Sequence, residues 1–98
     1  MTDISDKIIA VDLDNTLSEP MDDWSRYLFC VPKKENILKI NQLYNNNTII
    51  IYSARPEEDR LVTLKWLKEH RVMFHRLVLG KLKVDIYIDN DSLRMEDL

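Results

Sequence analysis

Two carboxylates, Asp12 and Asp14, stand two residues apart at the end of the apolar run Ile8-Ile9-Ala10-Val11, and the hydroxyl of Thr16 follows two residues later. On an extended backbone, side chains i and i+2 point to the same face, so the pair reads as two neighbours at the mouth of a buried strand. Close carboxylates repel unless a cation or a shared proton relieves them, and a divalent metal suits that role. Polar groups also follow each later apolar run: Ser53, Ala54 and Arg55 after 49–52, Gly80 and Lys81 after 77–79, and Asp89, Asn90 and Asp91 after 84–88. The carboxylates of Asp12, Asp14 and Asp89 are hard oxygen donors of the kind Mg²⁺ takes. With the ion, three negatives leave about −1, and Lys81 brings the empty site near neutrality, so a phosphate dianion can enter. Metal and lysine would then stabilise charge on a transferring phosphoryl group, where positioning and electrostatics do most of the catalysis.

Four short runs rich in β-branched residues must position these groups, and they read as buried strands. Between them the apolar spacing becomes helical. One helix is expected over 33–44, with Ile37, Leu38, Ile40, Leu43 and Tyr44 on one stripe, Pro32 near its start and Asn45-Asn46-Asn47 at its end. A second is expected over 57–70, with Leu61, Leu64, Trp66 and Leu67 as its apolar side. Pro56 and the acids Glu57, Glu58 and Asp59 stand at its amino end, and Lys68, His70 and Arg71 at its carboxyl end. Alternating strands and helices imply crossovers and a parallel sheet. Ligands of such sheets bind outside the carboxyl ends of the strands, where the polar groups fall.

The chain has 98 residues, of which 45% are hydrophobic and 32% charged. It reads as a single domain spanning 1–98. Its net charge of −3 offers no basic footprint for nucleic acid. No apolar run reaches the roughly 18–20 residues of a membrane span. The single cysteine, Cys30, forms no intramolecular disulfide, and the polar amino terminus is unlike a signal peptide. A cytoplasmic protein is expected. Residues 17–32 lack a clear period and read as a flap or hairpin beside the polar edge.

The four segments, in this order, resemble the motifs of the haloacid dehalogenase (HAD) superfamily of phosphotransferases, and they span residues 8–91. The stretch from Ile49 to Asp91 also looks like small HAD phosphatases of capsule and surface-polysaccharide biosynthesis. The resemblance implies a three-layer, Rossmann-like core with a mainly parallel sheet. It also implies Mg²⁺-dependent hydrolysis of a phosphomonoester, such as a sugar phosphate or related small metabolite. Asp12 would be the nucleophile and form an aspartyl-phosphate. Asp14 would protonate the leaving alcohol and then activate water. Ser53 and the Ala54 N–H would hold phosphate oxygens, and Lys81 would bridge nucleophile and phosphate. Asp89, Asp12 and the backbone carbonyl of Asp14 would bind Mg²⁺, and Thr16 would fix the loop carrying Asp14. Family members often place proline after the motif lysine, where this chain has Leu82, so Lys83 competes with Lys81. They often carry two adjacent acids in the last motif, where this chain has Asp89-Asn90-Asp91. Neither gap between motifs holds a cap domain, which implies an open site, suited to a large substrate or closed by a neighbouring subunit of a homo-oligomer.

Several residues have blander readings. Arg55 either grips substrate or pairs with the acids Glu58 and Asp59 that follow it. Asp85 is an edge charge, a partner of Lys81 or a metal ligand. His70 and His75 read as solvated, Cys30 as a small buried hydrophobe, and Trp66 as core. Trp24, Tyr27 and Phe29 suit core, subunit interface or lid. Rival functions are a phosphatase of a macromolecule (a phosphoprotein or a nucleic-acid end) and a non-catalytic phosphate-binding module. A receiver-like signalling domain is disfavoured, because its acceptor acid follows the third strand and no acid follows 77–79 here.

Overall fold

The computed structural model describes residues 4–20, 29–80, 85, 86, 88 and 93–98. Three strands form a parallel sheet in the order β1 (Ile8–Asp12), β2 (Thr48–Ser53), β3 (Arg76–Leu79). Helix α1 (Lys34–Tyr44) connects the first pair of strands and α2 (Arg60–Glu69) the second. Because strand order follows chain order, two crossovers of the same hand place both helices on one face of the sheet. A bond from Asn41 Nδ2 on α1 to the Arg71 carbonyl just past α2 (2.9 Å) ties the two helices side by side.

Register explains which strand residues face that layer. Ile9 pairs with Ile49 and Val11 with Ile51, while Ile51 and Ser53 pair with Leu77 and Leu79. Alternation puts Val11, Ile49, Ile51, Ser53, Leu77 and Leu79 inside, against Ile37, Ile40 and Leu43 of α1 and Trp66 and Leu67 of α2. The core thus sits between one face of the sheet and the helices. Met95 and Leu98, from the carboxyl-terminal turn, pack against it.

Helix bounds follow local chemistry. The carbonyl of Lys33 accepts the Ile37 N–H and opens α1 without a side-chain cap. The end of α1 is closed by buried Asn47. Its Nδ2 donates to the carbonyls of Leu43 (2.9 Å) and Ile4 (3.1 Å), and its Oδ1 accepts the Lys7 N–H (3.0 Å). One side chain thereby ties the end of α1 to the entry of β1. The expected helix over 57–70 is instead a 3₁₀ turn, Glu57–Asp59, followed by α2. Arg60 folds back on Glu57 with two bonds of 2.7 and 2.8 Å and reaches the Leu77 carbonyl of β3 (3.1 Å), which explains the tight first turn. That guanidinium holds the Glu57 carboxyl below its usual range.

The expected strand over 84–88 is not found among its described residues. Asp85, Ile86 and Ile88 lie outside any strand, and Ile86 and Ile88 are 77% and 97% exposed. A parallel sheet with one helical layer is what the described residues form. Among them no helix is long and apolar enough to cross a membrane.

Asn47→Ala removes three hydrogen bonds at a buried junction and should cost about 1–3 kcal/mol of folding stability in a urea titration. Exposed Asn46→Ala should stay within about 0.5 kcal/mol.

Candidate active site at the carboxyl edge of the sheet

Strand β1 ends at Asp12, and the chain turns at once. Leu13 is buried, still donates its N–H to Tyr52 of β2 (3.0 Å), and its carbonyl accepts the N–H groups of Thr16, Leu17 and Ser18. Three donors on one oxygen curl residues 13–18 into a compact loop. Asn15 takes the left-handed backbone conformation there (φ 67°), which asparagine tolerates better than most residues. From outside, Lys33 Nζ and Asn36 Nδ2 hold the carbonyls of Asn15 (3.0 Å) and Thr16 (2.8 Å). The loop that carries Asp14 is therefore fixed through backbone atoms of Thr16 and its neighbours.

The base of the 17–32 segment is a short antiparallel closure. Ser18 bridges Pro32, Glu19 donates to the Val31 carbonyl (2.8 Å), and Lys33 donates to the Leu17 carbonyl (2.8 Å). Leu17 and Cys30 enter the core, while Phe29 is exposed. The hairpin reading fits this base; Trp24 and Tyr27 lie outside the described residues.

The centre of the edge is a long-range ion pair. Arg55, just past β2, has a side chain only 1% exposed and meets Asp14, whose side chain is 22% exposed. Its Nη2 donates to Asp14 Oδ1 at 2.7 Å, and its Nε lies 3.2 and 3.3 Å from the two carboxylate oxygens. The fork geometry of the guanidinium matches a carboxylate well. Ser53, the last residue of β2, donates its hydroxyl to Asp14 Oδ2 (2.7 Å) and accepts the Arg55 N–H (3.1 Å). On its far side Arg55 donates Nη1 to Thr63 Oγ1 of α2 (2.9 Å). Of the two readings of Arg55, pairing with Glu58 or Asp59 is not found: among the described residues its carboxylate partner is Asp14, 41 residues away.

Four further groups join this centre: Thr63, Trp66, Cys30 and Gly80. Thr63 sits on the buried side of α2. Trp66 Nε1 donates to the Cys30 carbonyl (2.9 Å), which brings the end of the 17–32 segment over the pair. Burial pushes the Cys30 thiol up, the Arg55 guanidinium pulls it down and the Asp14 carboxylate pushes it up again, so Cys30 borders the same ion pair. Gly80 donates its N–H to the Arg55 carbonyl (3.0 Å) and adopts φ 87°. Open space surrounds the position of an added Cβ, so the demand for glycine there is conformational.

Asp12 is half-buried at the end of β1, opposite Tyr52 of β2, and Ala54 is exposed. Asp85 is exposed. His75 is not simply solvated: its Nδ1 accepts the Ile49 N–H (3.0 Å) and its ring stacks on Tyr44 with centroids 4.4 Å apart. Lys81, Lys83, Asp89 and Asp91 lie outside the described residues. Among the described residues no group of three or more His, Cys, Asp or Glu side chains is placed to hold a metal. A hollow of about 300 Å³ lies between the helices, lined by residues such as Ile37, Leu38 and His70, away from this edge.

No family model matches the chain, and no curated protein matches it. The fold is similar to the crystal structure of an MCSG target from Vibrio cholerae, with a TM-score of 0.75 over 93% of this chain and 85% of that one, at 23% identity. At that identity the likeness speaks to the fold.

A thiol pushed up by burial holds less thiolate, the reactive form. Alkylation of Cys30 at pH 8 should therefore run more than about tenfold slower in the folded chain than in the urea-unfolded chain. The same shift makes its contribution to stability present at low pH and lost as pH rises through the thiol range. Equal alkylation rates in the two states would contradict the placement of Cys30.

Proposed function

We propose that this chain is a phosphomonoesterase of HAD type, with Asp12 as nucleophile and a small phosphorylated metabolite as substrate. A sugar phosphate of polysaccharide biosynthesis is the substrate class favoured by the sequence resemblance. The observation that carries the reading is the direct bond between two strand ends: Ser53 at the end of β2 lies 2.7 Å from Asp14, two residues past Asp12 at the end of β1. Groups that the sequence separates by 39 positions thus meet at the edge where parallel sheets bind ligands.

In this reading an Asp12 carboxylate oxygen attacks phosphorus, the bond to the leaving alcohol breaks, and a phosphoryl group rests on Asp12. Asp14 gives a proton to the departing oxygen and then takes one from the water that attacks the phosphoryl group, the bond from Asp12 to phosphorus breaks, and inorganic phosphate leaves. As placed, both Asp14 oxygens accept hydrogen bonds, which is the form that takes a proton. Delivering one requires the carboxyl group to turn from under Ser53 and Arg55. Ser53 would then present its hydroxyl, together with the Ala54 N–H, to phosphate oxygens. Lys81, or Lys83, would neutralise charge beside Asp12.

The donors fit Mg²⁺ in the way the resemblance implies. The Asp14 carboxylate is committed to Arg55 and Ser53, so its main-chain oxygen is the donor to be expected from that residue. Asp12, this oxygen and Asp89 are hard donors that would hold the ion, which when bound supplies positive charge at the transferred group. The full three-layer core, a cytoplasmic location, a homo-oligomer and independence from nucleic acid and membrane belong to the same proposal. The engagement of Asp14 and Ser53 with each other also gives one specific reason to keep a non-catalytic phosphate-binding role as the second reading.

Phosphate release from a panel of sugar phosphates, other small phosphomonoesters, phosphopeptides and phosphorylated oligonucleotides, with Mg²⁺, tests this. Turnover of a small phosphomonoester that falls to background in Asp12→Asn and on chelation is the expected result. Turnover confined to phosphopeptides or oligonucleotides moves the substrate class to a macromolecule. Silence from folded protein favours the binding role, and activity that persists in Asp12→Asn contradicts the mechanism.

A further inference from the structure

We infer that Thr63, on α2, is a positioning residue for Asp14 and acts through Arg55. The hydroxyl of Thr63 donates to the Asp59 carbonyl one turn earlier (2.7 Å) and accepts Arg55 Nη1 (2.9 Å). Its only proton is committed to Asp59, so it presents lone pairs alone to the guanidinium. Both Thr63 and the Arg55 side chain are almost wholly buried. A buried guanidinium needs acceptors on every edge, and among its partners are Asp14 toward the loop and Thr63 toward the helix, with Cys30 beside them. Thr63 therefore holds the Nη1 edge of Arg55 on the side opposite Asp14. The backbone bond of Arg55 to Ser53 and that of Gly80 to Arg55 fix only the main chain at that residue.

A threonine bonded to the carbonyl four residues earlier is a common local motif in helices. The difference here is that its oxygen carries the load of a buried charge shared with the proposed acid/base. Valine at 63 keeps the shape and loses both bonds. Serine keeps both bonds and loses a methyl group.

The catalytic consequence rests on the phosphatase reading, so the test has two arms. With a substrate from the panel, Thr63→Val should lower kcat on the order of tenfold to a hundredfold with KM within about twofold, as expected for a misplaced catalytic group. Thr63→Ser should restore most of the loss. In the second arm, the Arg55 Nε–H resonance is followed in ¹H–¹⁵N spectra, assigned by its loss in Arg55→Met. It should be protected from exchange in the wild-type chain and in Thr63→Ser, and exchange-broadened in Thr63→Val. Thr63→Ala replaces Thr63→Val in both arms if the valine variant does not fold. An unchanged resonance, or an altered resonance with unchanged kcat, overturns the role of Thr63 alone. Equal losses in the valine and serine variants assign Thr63 to packing and also overturn it. Absence of Asp12-dependent turnover in the wild-type chain overturns the phosphatase reading, while the resonance still decides whether Thr63 holds Arg55.

Discussion

A guanidinium sealed beneath a sheet edge has to be neutralised and fully hydrogen-bonded, and that requirement organises the polar end of this fold. Removing an arginine from water costs several kcal/mol, and the cost is offset only when geometry is good and each donor finds an acceptor. Among the described residues, Asp14 on one side and Thr63 on the other take three of its five N–H donors. The strand-end loop, the end of β2 and the first turn of α2 must therefore keep a common geometry. Ser53 and Gly80 are bonded to the same centre through the Asp14 carboxylate and the Arg55 carbonyl, and Cys30 borders it.

The rest of the fold serves to bring those parts to one edge. Parallel pairing of β1, β2 and β3 points their carboxyl ends the same way. The buried stripes of α1 and α2 cover the sheet face that carries Val11, Ile51 and Leu77. At the opposite end Asn47 ties α1 to the entry of β1. The Leu13 carbonyl, with three donors, converts the end of a strand into a loop stiff enough to hold a carboxylate in place. Function, in the reading proposed, requires that Asp14 be both held and able to turn, and one arginine with two anchors is a means to balance those demands.

Local pattern made much of this legible. β-Branched runs marked β1, β2 and β3, helical spacing marked α1 and most of α2, and the spacing of Asp12 and Asp14 marked the edge. Long-range pairing was harder to read. Glu58 and Asp59 were near Arg55 in sequence, but their place beside the start of α2 left them away from its buried side chain, which register and the 13–18 loop aim at Asp14. Cys30 looked like a plain buried hydrophobe, since nothing local ties it to residue 55. The apolar run at 84–88 satisfied a strand pattern, yet Ile86 and Ile88 are exposed, because periodicity states which residues share a face and not whether a partner face exists.

A double-mutant cycle on the ion pair tests the central claim most directly. Urea unfolding of the wild-type chain, Asp14→Asn, Arg55→Met and the double variant yields the coupling between the two side chains without reference to activity. If the pair organises the edge, each single variant is destabilised and the double variant is less destabilised than their sum, with a coupling of about 1–3 kcal/mol. Additivity within about 0.5 kcal/mol would contradict the account, because two groups that depend on each other for compensation cannot be lost independently.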